Sequence, residues 1–333
     1  MEPNEPVNPT VATPEMQPPA ATPLKSIGAL LSDAYALFRE RWSVLVGISL
    51  LWALVSIPLF ALVFGSAVLG AVVSGSNPIV IVVGAILCAL VFGVALLGFL
   101  WTQVATLQAL IGEKIGVTES FKRARPATWN YTITIALSQL IAVGMSFFLV
   151  LPGIYYSTIY GFAGLINLAE GKKGKLALVE SESYVRGRWW PVFGRVIFFS
   201  LVAGICSFLL QIVLEASTGK NLSSSVMNVL NLFLVTPFSY AYFVTVFKNV
   251  RSTGHSQAVS SPSSLKTPII LASLGFVLGI AFMIGSFVLL ASLSSTRERA
   301  QQAMDAAMRQ QQLIDQEAST TQPYFAPEGS SAQ

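Results

Sequence analysis

Charge is scarce in this chain. Of its 333 residues, 20 are Lys or Arg and 16 are Asp or Glu, so only 11% are charged, against about 25% in a soluble domain. Histidine is nearly absent, and the single copy, His255, sits in the polar stretch RSTGHSQAVSSPSS. A metal site wants three or four ligands, and no acid, Cys or second His stands beside it, so it reads as a solvated loop residue. The two cysteines, Cys88 and Cys206, both lie inside apolar runs. A thiol there behaves as a small hydrophobe and carries no information about redox compartment. The phosphate-binding GxxxxGK[ST] and GxGxxG patterns are missing, as is GxSxG. Ser-x-x-Lys occurs at Ser217/Lys220 and Ser263/Lys266, in polar loops without companion motifs. No paired acids or activated nucleophile stand in the apolar runs. The expectation is a protein that is not an enzyme and has no cofactor or metal. No dense basic tract accompanies a nucleic-acid module, so nucleic acid is not an expected partner.

What the chain has is apolar length. Hydrophobic residues make up 53% and the mean hydropathy is +0.66. A soluble fold could not hide that much apolar surface, so lipid must be its solvent. A helix needs about 20 residues to cross the hydrocarbon core. Candidate runs are 43–65, 80–104, 131–151, 153–169, 190–213, 226–247 and 268–292, which predicts an all-α integral membrane protein with about seven transmembrane helices. The first run stays apolar to Val73, so its end is open, and Pro58 is a candidate kink. Pro152 and Gly153 predict a tight hairpin between the third and fourth runs, with Tyr155, Tyr156 and Tyr160 as an aromatic belt. The first run begins near Ser43 after a long polar tail, unlike a cleavable signal, so it is expected to stay as an anchor.

Around these runs the organisation is as follows. Residues 1–24 hold seven prolines and read as a disordered cytoplasmic tail. Residues 25–251 form a membrane domain with six spanning helices, and 252–267 a polar linker. Residues 268–293 form a seventh span, and 294–333 a polar extracytoplasmic tail, partly helical. Fifteen of the 20 basic residues fall in loops on the side of the N-terminus. Four (Lys220, Arg297, Arg299, Arg309) fall on the other, and Arg195 lies just inside a helix. The positive-inside rule then puts the N-terminus in the cytoplasm and the C-terminus outside, in a bacterial inner (plasma) membrane.

Three segments look alike: LLSDAYALFRERW at 30–42, VTESFKRARPATW at 117–129 and LVESESYVRGRWW at 178–190. Each joins an amphipathic stretch to a basic cluster, a tryptophan and a spanning run. This predicts three units of interfacial helix plus hairpin, with one extra C-terminal helix; independent boundary signals would give the same pattern. Cations and tryptophan favour the headgroup depth. The candidate lipid-headgroup contacts are therefore Arg39, Arg41, Trp42, Lys122, Arg123, Arg125, Arg186, Arg188 and Trp189. The expected partners are membrane lipids, chiefly anionic headgroups on the cytoplasmic side, with a homo-oligomer or membrane-protein partner left open.

Two further features stand inside the runs. Arg195 lies six residues past Trp189, about 9 Å deeper on a helix. It either snorkels to the headgroups or pairs with Glu170, at the end of the fourth run, across a cavity mouth. Gly275 and Gly279 form GxxxG in the last run, a candidate packing face within the chain or between two copies.

The segment from Leu151 to Gly194 carries LPGIYY at 151–156, Glu170-Gly171, Ala177-Leu178 with Ser181, and VRGRWWPVFG at 185–194. It resembles the membrane domain found ahead of some bacterial glycerophosphoryl diester phosphodiesterases and in stand-alone proteins. The likeness is clearest over these residues and weaker from Lys25 to Arg251. It implies a helical membrane domain of bacterial type. Catalysis in that family belongs to a separate soluble barrel of about 250 residues, and about 40 follow the last run here, so no activity is carried over. The functional expectation is a non-enzymatic protein that organises membrane lipid or partner proteins. The alternative is a transporter or lipid-handling permease with a cavity near the fourth and fifth helices.

Overall fold

The computed structural model describes residues 23–73, 78–253 and 265–320. All regular structure among them is helical. The elements are α1 (Ile27–Val73), α2 (Pro78–Ile111), α3 (Val117–Phe148), α4 (Val150–Tyr160), α5 (Ala163–Glu170), α6 (Lys175–Val185), α7 (Trp189–Thr218), α8 (Lys220–Leu230), α9 (Thr236–Ser252) and α10 (Lys266–Thr320). A π turn, Asn231–Val235, joins α8 to α9. Lipid offers no hydrogen bonds, and a helix satisfies each backbone group within its own segment. Among the described residues six stretches are long and apolar enough to cross a membrane: Ile27–Val63, Val82–Ile111, Val117–Phe148, Trp189–Thr218, Lys220–Ser252 and Lys266–Gln310.

The run expected as a fourth span is not one helix but two, α4 and α5, broken at Gly161-Phe162. The break frees carbonyls at the end of α4, and neighbours take them up. Ser181 Oγ donates to Ile159 O at 2.6 Å and Ser138 Oγ to Tyr160 O at 3.2 Å. Hydroxyls from α6 and α3 thus stabilise a non-helical turn inside the bundle. The hairpin before α4 turns at Leu149, whose φ is −157°, rather than at Pro152-Gly153. Both of those residues sit in the first turn of α4, where proline costs no hydrogen bond. Gly153 serves a close approach instead: a Cβ there would lie 1.8 Å from Ser146 Oγ on α3.

The three look-alike segments are not built alike. Residues 30–42 are no separate interfacial helix, because α1 runs through them without a break to Val73. Neither proline nor glycine stands between Ala29 and Val46 to stop it, and Pro58 does not end it. The apolar face Leu30, Ala34, Phe38 is buried in protein rather than laid among acyl chains. Residues 117–129 likewise run on within α3, past Pro126. Only the third segment contains a helix of its own, α6, closed by Gly187 at φ 78°, a left-handed conformation that favours glycine.

The packed core gathers at one end of the unit formed by residues 1–273. It is built from Leu30–Ile48 of α1, Val104–Leu110 of α2, α3, α5, α6 and Ala241–Val250 of α9. Away from it the helices are apolar and outward-facing. Leu54, Leu90 and Phe208 are all more than 60% exposed, a surface that fits a membrane location. The expected seventh span and the helical part of the tail are one continuous helix, α10, most of which belongs to the second unit, Leu274–Gln333. Gly275 and Gly279 are buried positions one turn apart on it. The proline-rich tail to residue 22, the connection 74–77, the linker residues 254–264 with His255, and the tail from 321 lie outside the described residues.

Candidate functional site

The basic residues divide into two groups according to what they hold. The first group holds the fold. Arg41 is 7% exposed and donates from Nη1 to Ala109 O at 3.0 Å and from Nη2 to Gly112 O at 3.2 Å. Lys248 Nζ reaches Leu110 O between them, at 3.2 Å. The last carbonyls of a helix have no intrahelical partner, and its C-terminal end is negative. Two cations from α1 and α9 therefore cap α2. Arg188 does the same for α6, donating to Tyr184 O at 3.0 Å and to Thr253 Oγ1. Arg41 and Arg188, expected at headgroups, are thus helix caps.

Arg195 and Glu170 do not form the pair that was one expectation for them. Arg195 donates to Leu24 O (3.2 Å), Lys25 O (2.8 Å) and Pro191 O (2.7 Å), tying the chain before α1 to α7. Glu170 is held at the end of α5 by Tyr184 Oη at 2.7 Å, Lys172 Nζ at 3.2 Å and Arg251 Nε at 3.2 Å. Lys172 bridges on to Glu180 at 2.8 Å. Burial works against the Lys172 ammonium, but its hydrogen bonds to Glu180 and Glu170 outweigh this and raise its pKa. Burial and the bond to Glu170 push the Tyr184 phenol up as well. The cluster closes one end of the bundle around charges from α5, α6 and α9.

The second group faces outward. Arg39, Lys114, Lys122 and Arg125 are exposed, and no acid lies within ion-pair reach of them among the described residues. Arg123 is exposed and pairs with Glu119 at 3.1 Å; Arg186 meets Glu182 at 3.9 Å. Trp42 is 41% and Trp129 67% exposed. Trp42 packs edge-on to Phe38 with centroids 5.1 Å apart. Trp189 is half-buried, stacks on Phe193 at 4.8 Å and donates from Nε1 to Tyr155 O. Sequence reasoning passed over Lys114, Lys248, Tyr184 and Tyr35. For Tyr184 a signal was present: Ala177, Leu178, Ser181, Tyr184 and Val185 repeat at helical spacing, the pattern of one inward face.

Two cavities meet on α1. A groove of about 450 Å³ is lined by Leu31, Tyr35 and Phe38 of α1, residues of α7 from Phe198 to Leu210, and Met227–Phe238 from α8 through the π turn. Beside it a polar pocket of about 520 Å³ is lined by Ser32, Tyr35, Ala36, Arg39, Glu40 and Lys114. A smaller space of about 150 Å³ lies between α4–α5 and α7, where a permease cavity was one expectation. Its hydroxyls, Ser157, Thr158 and Ser200, donate to carbonyls of their own helices, which leaves few donors to meet a substrate. No group of three or more His, Cys, Asp or Glu that could hold a metal occurs among the described residues. Comparison of the chain with known protein families, with curated proteins and with solved structures finds no match.

Proposed function

We propose that this is a non-enzymatic, multi-pass protein of the bacterial inner membrane that organises anionic lipid, and through it partner proteins, at its cytoplasmic face. The observation that carries the reading is the outward group of cations, Arg39, Lys114, Lys122 and Arg125, exposed and without acid partners among the described residues, with the exposed Trp42 and Trp129 close by in sequence. Solvated cations beside an apolar, lipid-facing surface suit phosphate headgroups, at about 1 kcal/mol per residue. The N-terminus is cytoplasmic in this reading, and α4–α5 together serve as the fourth of seven crossings. The likeness of residues 151–194 to the membrane domain of glycerophosphoryl diester phosphodiesterases belongs to the same proposal, without that family's catalysis.

The test is boundary-lipid selectivity, read by electron paramagnetic resonance of spin-labelled lipids around the reconstituted chain. The native chain is expected to prefer phosphatidylglycerol over phosphatidylcholine. The triple variant Arg39→Glu, Lys122→Glu, Arg125→Glu is expected to lose that preference severalfold. Equal preference in both chains would defeat the reading.

A further inference from the structure

We infer that the groove between α1, α7 and α8–α9 is a binding site for one acyl chain of an anionic phospholipid, whose phosphate rests between Arg39 and Lys114. The inference rests on the lipid-organising reading and narrows it from a diffuse basic surface to one bound molecule.

The argument begins with the α1 helix. Residues 31, 35 and 38 share one face and line the apolar groove; residues 32, 35, 36 and 39 share the adjoining face and line the polar pocket. Tyr35 belongs to both, so the two cavities are neighbours along its ring. A ligand that fills both must be apolar at one end and anionic at the other. The apolar end has room: from Phe198 to Leu210 α7 rises about 18 Å, and one leaflet of hydrocarbon is about 15 Å thick. The groove is walled mostly by phenylalanines, leucines and valines, with Ala203, Cys206 and Ser207 the small residues on α7. An apolar cavity of this kind excludes water, and beside a bilayer the available apolar matter is a lipid chain.

Two features show that the groove is shaped before anything enters it. Phe38, Phe199 and Phe238 form an aromatic wall, with Phe238 5.6 Å from Phe38 and 5.9 Å from Phe199 between centroids. Leu234 and Val235, also in the lining, belong to the π turn Asn231–Val235. A π turn is a widened helix segment frequent at functional sites. At the polar end the charges are complementary to a phosphodiester. Glu40 also lines that pocket, but its carboxylate is drawn to Arg41 Nε at 3.4 Å. Among the described residues Arg39 and Lys114 have no acid of their own and are left for the ligand. The polar pocket on the other side of α1 differs on this point, because its Lys25 is tied to Asp33 at 2.7 Å.

The experiment is native mass spectrometry of the full chain, purified from mixed phosphatidylglycerol and phosphatidylcholine and stripped of loose lipid. One retained phosphatidylglycerol per chain is expected. Ala203→Trp, which fills the groove from α7, should lose it. Arg39→Ala with Lys114→Ala should keep a lipid but lose the preference for phosphatidylglycerol at least severalfold. A second reading uses the thiol in the groove and does not depend on the Trp variant folding. In a Cys88→Ser chain, added phosphatidylglycerol should slow alkylation of Cys206, and phosphatidylcholine should slow it less. Retention of lipid by a folded Ala203→Trp chain, Cys206 rates indifferent to lipid, or a groove occupied by a second copy of the chain would each overturn the site. If boundary selectivity falls on charge reversal while the groove variants change nothing, only this inference fails and the broader reading stands.

Discussion

Arg41 offers the sharpest test of how the cations divide. Its guanidinium is 7% exposed and holds two carbonyls, Ala109 O and Gly112 O, at the end of α2. Replacing it with Met keeps most of the packed stem and removes both bonds. Hydrogen bonds to a charged group contribute about 1.5–3 kcal/mol each. Against this stands the desolvation cost of a buried cation, which Met escapes. Arg41 Nε has no hydrogen bond among the described residues and is compensated only by an ion pair with Glu40 at 3.4 Å. The net loss is on the order of 2–4 kcal/mol, since two carbonyls are also left bare. Arg41→Lys should recover part of it, because an ammonium carries the charge but not the two-pronged geometry. The assay is reversible denaturation in mixed micelles, with Arg39→Ala as the control. Arg39 is exposed, and its removal should stay within about 0.5 kcal/mol. If Arg41→Met were as stable as the native chain and instead altered lipid selectivity, Arg41 would be a headgroup ligand and the capping argument would be wrong.

Two further outcomes are expected in the same assay. Gly153→Ala should destabilise by about 1–3 kcal/mol, as overpacking does. Its Cβ would stand 1.8 Å from Ser146 Oγ and 2.9 Å from Ser146 Cα, and rotating the serine relieves only the first contact; an unchanged midpoint would show that α3 and α4 separate freely. The Glu170 cluster should weaken in alkali. Lys172 and Tyr184 both have raised pKa values, so the folded state holds their protons more tightly than the unfolded chain does. Their contribution is full below the unfolded values, near pH 10, and is lost as pH rises through the folded ones. A Glu170→Gln chain should show a smaller alkaline loss; identical profiles would remove the cluster from the account.

Much of the architecture follows from the order of residues. Runs of about 20 apolar residues dictate helices wherever lipid is the solvent, and six of the seven expected runs coincide, to within a few residues, with the membrane-length helical stretches in α1, α2, α3, α7, α8–α9 and α10. Scarcity of charge and its gathering at the run ends set where the apolar runs begin and stop. Periodicity could not show where α1 stops being a surface helix, because nothing in LLSDAYALFRERW breaks it before the spanning part begins. The division of the fourth run was hidden for another reason. Its stability comes from Ser138 and Ser181, 22 residues away on either side of the carbonyls they hold, and no local pattern reports a partner at that separation.

The basic residues show the same division most plainly. Arg39 and Arg41 stand two positions apart in one motif, and composition treats them alike. On a helix of 3.6 residues per turn they point about 200° apart, so one meets the end of α2 and the other is exposed. The sequence by itself determined that cations would gather beside tryptophan at the ends of apolar helices. Only the tertiary structure decided which of them cap a helix and which stay free, because that depends on where α2 and α9 end in space. It also placed Tyr35 between an apolar groove and a polar pocket, a juxtaposition that needs α1, α7 and the π turn before α9 side by side.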